Sequence, residues 1–362
     1  MFHKAGRAVS LLVFILALGI APLALSCSGP ATPQQGSSGQ APQAAEKKAE
    51  APAKKAGEPV KIRVAWGIPG EEQKYIMQKK PEILKNYGKA YTVEWFQFQG
   101  SAPQGQALAA GGVDAGTLAG SSSAQLAAQN AVDFLITGAM IAEYQGKSYG
   151  TTWLVKDDSG IKDLKDLKGK TVATNAFGSS LEYIQRDLLK QNGLEAGKDF
   201  KVVEVPFGLM EDNLRKGNID AGPFPQPFFL SAMKKGGVKP IFKLTDVQPK
   251  YVQLINVFNK KFVQDHPDAV KAFQEDWKIA SEYMQKNPEE TKKVVAEITK
   301  IPLNVINEYL LTKDDYYHDP IGEPDLDTLQ KNWDWMYESG QIKKKMEVKN
   351  YYDPKFLPSA VK

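Results

Sequence analysis

Hydrophobic positions along this chain fall into three regimes. From Ala8 to Ser26 apolar residues run almost without a break, and residues 28–58 then contain no Val, Ile, Leu, Met, Phe, Trp or Tyr. From Pro59 onward, short alternating runs and longer helical spacings take turns. Val60-Lys61-Ile62-Arg63-Val64-Ala65-Trp66 alternates and is bounded by Gly67 and Pro69, which predicts a strand entering a turn. Helical spacing follows from Ile76 to Leu84, and Tyr91 to Phe98 predicts a second strand closed by Gly100. Such alternation implies an α/β fold with a largely parallel sheet. After Phe258 the pattern is mostly helical. Pro267 opens a helix carrying Ala269, Val270, Phe273 and Trp277, and another follows Pro288. A third starts near Asp325 with Leu326, Leu329, Trp333 and Met336, and the Lys-rich tail 341–362 packs on the surface.

The folded part is written twice. Residues 107–116 read Ala-Leu-Ala-Ala-Gly-Gly-Val-Asp-Ala-Gly, and residues 213–222 read Asn-Leu-Arg-Lys-Gly-Asn-Ile-Asp-Ala-Gly. Leu, Gly, Asp, Ala and Gly coincide, with Val113 facing Ile219. Each copy predicts a helix ending at a left-handed glycine, Gly111 or Gly217, then a tight turn and a short buried strand. After the first copy comes the loop Gly120-Ser121-Ser122-Ser123-Ala124-Gln125, and after the second Pro223-Phe224-Pro225-Gln226-Pro227-Phe228. Between them, the strand Lys170–Thr174 runs into Asn175-Ala176-Phe177-Gly178-Ser179-Ser180-Leu181-Glu182. In α/β sheets, ligands sit at the carboxyl ends of strands, so these loops are the places to look.

The start of the chain reads as an address and a tether. Met1–Arg7 is basic, the run to Ser26 is apolar, and Leu23-Ala24-Leu25-Ser26-Cys27 resembles a bacterial lipobox, with Ala24 where Leu is commonest. A membrane-spanning anchor is the competing reading; Pro22 and the terminal Cys27 argue against it. The segment 28–58 cannot bury enough apolar surface to offset its ordering entropy, so it is expected to be disordered, with a reach of roughly 30 Å.

Composition narrows the chemistry. The 362 residues hold 46 Lys plus Arg, 42 Asp plus Glu, three His and one Cys. The formal charge of +4 falls to +1 from residue 59 on, without the basic stripe of a nucleic-acid surface. One Cys and three His leave little for zinc, iron–sulfur or disulfide chemistry. Only Arg7, Arg63, Arg186 and Arg215 occur, and none is placed as an obvious anion clamp. Ser179-x-x-Glu182 and Ser122-x-x-Gln125 fit the capping box, so those serines serve their own helices or a ligand, or both. A helix start still offers unpaired N–H groups and a partial positive charge to an anion. Trp66, Phe177, Phe207, Phe224 and Phe228 flank the loops, either as core or as walls for an organic tail. Asp314-Asp315-Tyr316-Tyr317-His318-Asp319 has no metal-specific spacing and reads as a solvated loop. His266 beside Pro267 reads as part of a helix start.

Residues 60–300 resemble bacterial solute-binding proteins of ABC importers, in the nitrate/aliphatic-sulfonate/taurine group related to thiamine-precursor-binding proteins. The matching residues are Asp158-Ser159-Gly160-Ile161, Asp166-Leu167-Lys168-Gly169-Lys170-Thr171-Val172, Gly178-Ser179-Ser180, Gly217–Ala221 and His266-Pro267-Asp268-Ala269-Val270. The resemblance implies a two-lobed, periplasmic-binding-protein-like α/β fold of type II, with the ligand cleft between lobes. The expected organisation is a signal peptide over 1–26, a lipidated Cys27 and tether over 27–58, lobe 1 over 59–153, lobe 2 over 154–250, and the lobe 1 return with C-terminal helices over 251–362. The candidate ligand-binding set is Trp66, Gly67, Ser101, Gly120, Ser121, Ser122, Asn175, Phe177, Gly178, Ser179, Ser180, Met210, Pro225 and Gln226, with no catalytic or metal-ligating residue and no cofactor. The implied function is that of an exported, lipid-anchored monomeric receptor, not an enzyme. It encloses a small organic anion, sulfonate-, taurine- or carboxylate-like, and passes it to a membrane permease. A receptor for a sensor or chemotaxis system is an alternative. So is a thiamine-precursor-binding or synthase-like protein, although the related synthases carry a Cys-rich motif that this chain lacks.

Overall fold

In the computed structural model of the protein, residues 58–98 and 100–361 are described. The proposed signal peptide, Cys27 and nearly all of the tether lie outside them. The chain first lays down β1 (Val60–Trp66), α1 (Glu72–Lys79), β2 (Tyr91–Gln97), α2 (Ser101–Ala109), β3 (Ala115–Ala119), α3 (Gly120–Ala128) and β4 (Phe134–Tyr144). It then builds β5 (Thr152–Lys156), β6 (Thr171–Thr174), α4 (Ser180–Gln191), β7 (Lys201–Glu204), α5 (Phe207–Lys216), β8 (Ala221–Phe224), α6 (Phe228–Lys235) and β9 (Val238–Lys243). After α7 (Leu244–Val247) come β10 (Lys250–Asn259), α8 (Lys260–Asp265), α9 (Pro267–Lys286), α10 (Pro288–Thr299), α11 (Leu303–Tyr309) and α12 (Leu326–Glu338).

The strands form two five-stranded sheets, ordered β2-β1-β3-β10-β4 and β7-β6-β8-β5-β9. Each has a parallel triplet, β2-β1-β3 or β7-β6-β8, continued by an antiparallel strand, β10 or β5. Each sheet and its helices make one lobe. The chain crosses between Tyr144 and Thr152 and returns between Lys243 and Lys250.

In β1 the alternation reads directly as packing: Val60, Ile62 and Val64 are buried while Lys61 is exposed. On α9, Ala269, Val270, Phe273, Trp277, Ala280 and Met284 recur at helical spacing and are all buried. The predicted helical run from Ile76 to Leu84 is cut short. α1 ends at Lys79, because Pro81 cannot continue it and opens a separate 3₁₀ turn over Pro81–Ile83.

The repeated motif folds the same way twice. α5 ends at Gly217 with φ 74°, and Gly111, just past α2, has φ 69°. Asp114 Oδ2 accepts the Arg63 N–H of β1 at 2.8 Å, while the Asp114 N–H returns to the Arg63 carbonyl at 2.8 Å. Asp220 makes the same pair with Thr171 of β6, both at 2.8 Å. Each Asp therefore ties its turn to the neighbouring parallel strand before that strand's partner begins.

Two expectations change. Gly120–Gln125 is not a loop but the first turns of α3. Gly120 is required there, because a Cβ would strike the Val252 carbonyl of β10. The segment 314–319 is solvated only in part: Asp314 is exposed, but Asp315, Tyr316 and His318 are buried, and Asp315 accepts from the His318 ring at 3.1 Å. This strap lies along the β4 edge, exchanging backbone hydrogen bonds between Tyr317 and Ala142.

Candidate functional site

A cavity of about 100 Å³ lies between the lobes. From the first lobe it is lined by Gly67, Pro69 and Glu71 after β1, Gly100 and Ser101 at the start of α2, and Thr117 and Ala119 of β3. Ile141 of β4, Gln253 and Leu254 of β10, and Tyr316 of the strap complete that wall. The second lobe supplies Asn175, Ser179, Ser180 and Leu181 at the start of α4, Phe207 at the start of α5, and Pro225 after β8. These are the carboxyl ends of the parallel strands in both sheets, where the loops diverge and leave room for a ligand.

Several hydrogen bonds hold the lobes together around this space. Ser121 Oγ of α3 and Ser180 Oγ of α4 stand 2.5 Å apart. The Gln226 N–H donates to the Tyr316 hydroxyl at 3.2 Å, and its side-chain amide donates to the Asp314 carbonyl at 3.2 Å. Tyr149, on the first crossing, donates its hydroxyl to the Phe224 carbonyl at 2.6 Å. Tyr251 lies buried behind the serine pair. Burial raises the Tyr251 pKa, while the adjacent Ser180 and Ser121 pull it down.

The floor carries a buried ion pair. Lys74 Nζ is 3.1 Å from Glu71 Oε2 and donates to the Ala65 carbonyl and Thr117 Oγ1, both at 2.7 Å. Burial lowers the Lys74 pKa, and Glu71 opposes that shift. Glu71 also accepts from Thr117 Oγ1 at 2.7 Å and Gln104 Nε2 at 2.9 Å. All three ammonium protons are thus directed at protein oxygens, and no Lys, Arg or His is among the described residues lining the cavity. The three arginines among the described residues serve the scaffold: Arg63 binds Asp114, Arg186 binds Glu182, and Arg215 binds Glu211 with the Ala232 and Gly236 carbonyls.

Helix starts are the other source of positive potential: the first residues of α2 and α5 line the cavity, and α4 brings its N-cap and two first-turn residues to it. Ser179 is that N-cap, with Oγ accepting the Glu182 N–H at 3.3 Å, and Glu182 accepts the Gly178 N–H at 2.6 Å. As the first helical residues, Ser180 and Leu181 have N–H groups with no intrahelical acceptor, and both line the cavity. The second predicted cap does not form. Ala119 is the N-cap of α3, leaving Ser122 inside the helix with its Oγ 3.5 Å from Ser101 Oγ.

Of the residues singled out from sequence, Gly67, Ser101, Asn175, Ser179, Ser180 and Pro225 line the cavity. Ser121 and Gln226 sit at the lobe junctions rather than in the lining. Gly120 packs under β10, Ser122 lies behind Ser101, and Gly178 bonds Glu182. Trp66 stacks edge-on against Tyr75, outside the lining. Two fall elsewhere. Met210 is fully buried in the second lobe's core, and Phe177, 54% exposed, turns outward toward a surface groove with Arg186 and Phe200. Sequence reasoning missed Glu71, Thr117, Ile141, Gln253 and Tyr316. Gln253 lines the cavity, and its Oε1 is buried without a partner. A wider groove of about 570 Å³ runs between β4 and residues 317–325, but there Lys147 packs over the Tyr317 ring and Asp325 is taken by Tyr144 and Thr328. Among the described residues, the cleft gathers groups from both lobes, which neither this groove nor the one beside Phe177 does.

A family model described as NMT1/THI5 like matches residues 93–291. A Bacillus subtilis (strain 168) protein, whose name proposes aliphatic sulfonates as what it binds, is 26% identical over 272 residues, spanning 74% of this chain and 78% of its own length. The taurine-binding periplasmic protein of Escherichia coli (strain K12) is 28% identical over 244 residues, spanning 67% of this chain and 72% of its own. The alkanesulfonate-binding protein of Xanthomonas axonopodis pv. citri, solved bound to MOPS, superposes with a TM-score of 0.66 at 18% identity. That superposition covers 82% of this chain and 99% of the other, and it establishes the two-lobed α/β fold. Among the described residues, no helix is long and apolar enough to cross a membrane.

Proposed function

This chain belongs to the NMT1/THI5-like family, and from that premise we propose that it is an extracytoplasmic solute-binding receptor of an ABC importer. It encloses a small organic anion between its lobes and delivers it to a membrane permease. The observation that carries this reading is the cavity itself, lined from both lobes and bounded by the free first-turn N–H groups of α4. The anionic head rests on Ser180, Leu181 and neighbouring hydroxyls, without an arginine clamp. Ile68, Ile141, Leu181, Phe207 and Leu254 add apolar surface, which suits an organic tail better than bare nitrate. The relatives named for sulfonates and taurine support the same ligand class.

The protein binds and releases without chemistry; the chain's single cysteine, Cys27, leaves nothing for the Cys-rich motif of the related synthases. Cys27 carries the lipid, and the segment behind it lets a monomeric receptor reach its permease from the membrane surface.

A ligand panel tests the reading. Alkanesulfonates, taurine, nitrate, small carboxylates and thiamine precursors are screened by thermal shift, and hits are measured by calorimetry. A ligand at a hundredfold excess over its Kd adds about 2.7 kcal/mol. Stabilisation by neutral or cationic compounds alone would overturn it.

A further inference from the structure

Both chain crossings between the lobes meet at Thr151, which is held by one buried side chain. Glu143, next to last in β4, is fully buried and lies opposite Tyr251 of β10. Its oxygens accept the Thr151 backbone N–H at 2.8 Å and the Thr151 hydroxyl at 2.6 Å. Thr151 immediately precedes β5, so this carboxyl fastens the first crossing to the strand it has just left. The second crossing is tied in at the same point: the Leu244 N–H donates to the Thr151 carbonyl at 2.8 Å. Gly150 packs there against Thr245, whose Oγ1 would lie 2.7 Å from any Cβ.

The titratable groups that face Glu143 are phenols: Tyr149 on the first crossing, Tyr251 on β10 and Tyr316 on the strap. Among the described residues no Lys, Arg or His pairs with it. A buried carboxylate without a cation is costly, and the group favours its neutral form. Burial pushes the Glu143 carboxyl up to about 7, against the pull of the two Thr151 donors. Two of its three shields also bridge the lobes, Tyr149 through Phe224 and Tyr316 through Gln226. Both bonds join one lobe to the other, so they belong to the closed arrangement in which Glu143 is buried.

We propose that Glu143 is a proton-controlled hinge residue, neutral while the lobes are closed around it and ionised once they part, so that closing takes up a proton. The sign follows from linkage. The closed form holds this proton more tightly than the open form, so acid favours closure and rising pH toward neutrality weakens it. One proton changes the closed-to-open ratio by at most about tenfold per pH unit. Above the closed-form titration the ratio levels off.

The test needs no ligand, so its failure leaves the binding reading untouched. Spin labels are placed on Lys89→Cys and Lys190→Cys, one per lobe, in a Cys27→Ser background. Pulsed dipolar spectroscopy then follows the inter-lobe distance from pH 5.5 to 8.5. The closed population should fall severalfold between pH 5.5 and 7.5. Glu143→Gln, permanently neutral, should keep its acid-side distribution throughout. Should that variant fail to fold, Thr151→Val, which removes a donor favouring the ionised form, should move the midpoint to higher pH. A wild-type distance indifferent to pH, a Gln variant that responds like wild type, or an unmoved Thr151→Val midpoint would overturn the proposal.

Discussion

Ser121 Oγ and Ser180 Oγ, 2.5 Å apart, come from the first turns of helices in opposite lobes. The pair can exist only when the cleft is shut, so its free energy belongs to closure rather than to either lobe. Ser121→Ala and Ser180→Ala should each weaken ligand binding about two- to tenfold, the worth of one neutral hydrogen bond. The double variant should cost little more than the worse single. Calorimetry on the tightest compound from the panel decides this, and fully additive losses would show that the serines do not act as a pair.

Gln253 offers a different signature. Its Oε1 is buried in the cleft wall without a partner, an arrangement that costs stability unless a ligand uses it. Gln253→Leu should therefore leave the melting temperature of the ligand-free protein unchanged or raised while lowering affinity about tenfold. Loss of stability with affinity intact would place Gln253 in the scaffold.

Asp114 and Asp220 hold equivalent turns, yet their settings differ. Asp114 is buried and also takes the Arg63 guanidinium at 2.6 and 3.0 Å, whereas the Asp220 side chain is 33% exposed with Lys170 at 3.6 Å. Asp114→Ala should cost about 3 kcal/mol and Asp220→Ala about 1 kcal/mol. Urea unfolding of the two variants tests the order, which should not reverse.

Glu72 should make stability fall with rising pH. Burial pushes its carboxyl up to about 7 from an ordinary 4.5, with His318 pulling it down and Asp315 pushing it further up. The neutral form's contribution is complete below pH 4.5 and is lost as pH rises through 7. That amounts to about 3 kcal/mol. Glu72→Gln should flatten the decline between pH 5 and 8 in denaturant titrations; an unchanged slope would assign it to other groups.

Cys27→Ser should release the protein from the membrane fraction of a producing cell. Retention at wild-type levels would remove lipidation as the anchor.

The doubled architecture was legible because it rests on local rules. A left-handed glycine and an aspartate bonded back to the adjacent strand, at Gly217–Asp220 and Gly111–Asp114, impose a turn wherever they occur. The α4 start was legible for the same reason, since Ser179 and Glu182 cap within one turn. Glu71, Gln253 and Tyr316 were not legible. They reach one cavity from α1's entry, a late strand and a strap, and no spacing along the chain joins them. Polar composition misled at 314–319, where acidic and aromatic residues are buried because they cover a sheet edge. It misled again at Gly120–Ser123, where small residues permit close packing under β10 rather than a loop.

Tyr144 and Lys250 are direct neighbours in the first sheet, so the chain leaves at one and re-enters at the other. Everything between them, the whole second sheet included, is in topological terms a cassette grafted into the first lobe at a single point about one strand spacing wide. Such a cassette can be exchanged without cutting the host sheet. The α4 start travels with it while the Glu71–Lys74 floor stays behind, so the two walls of the cavity belong to parts that can diverge separately.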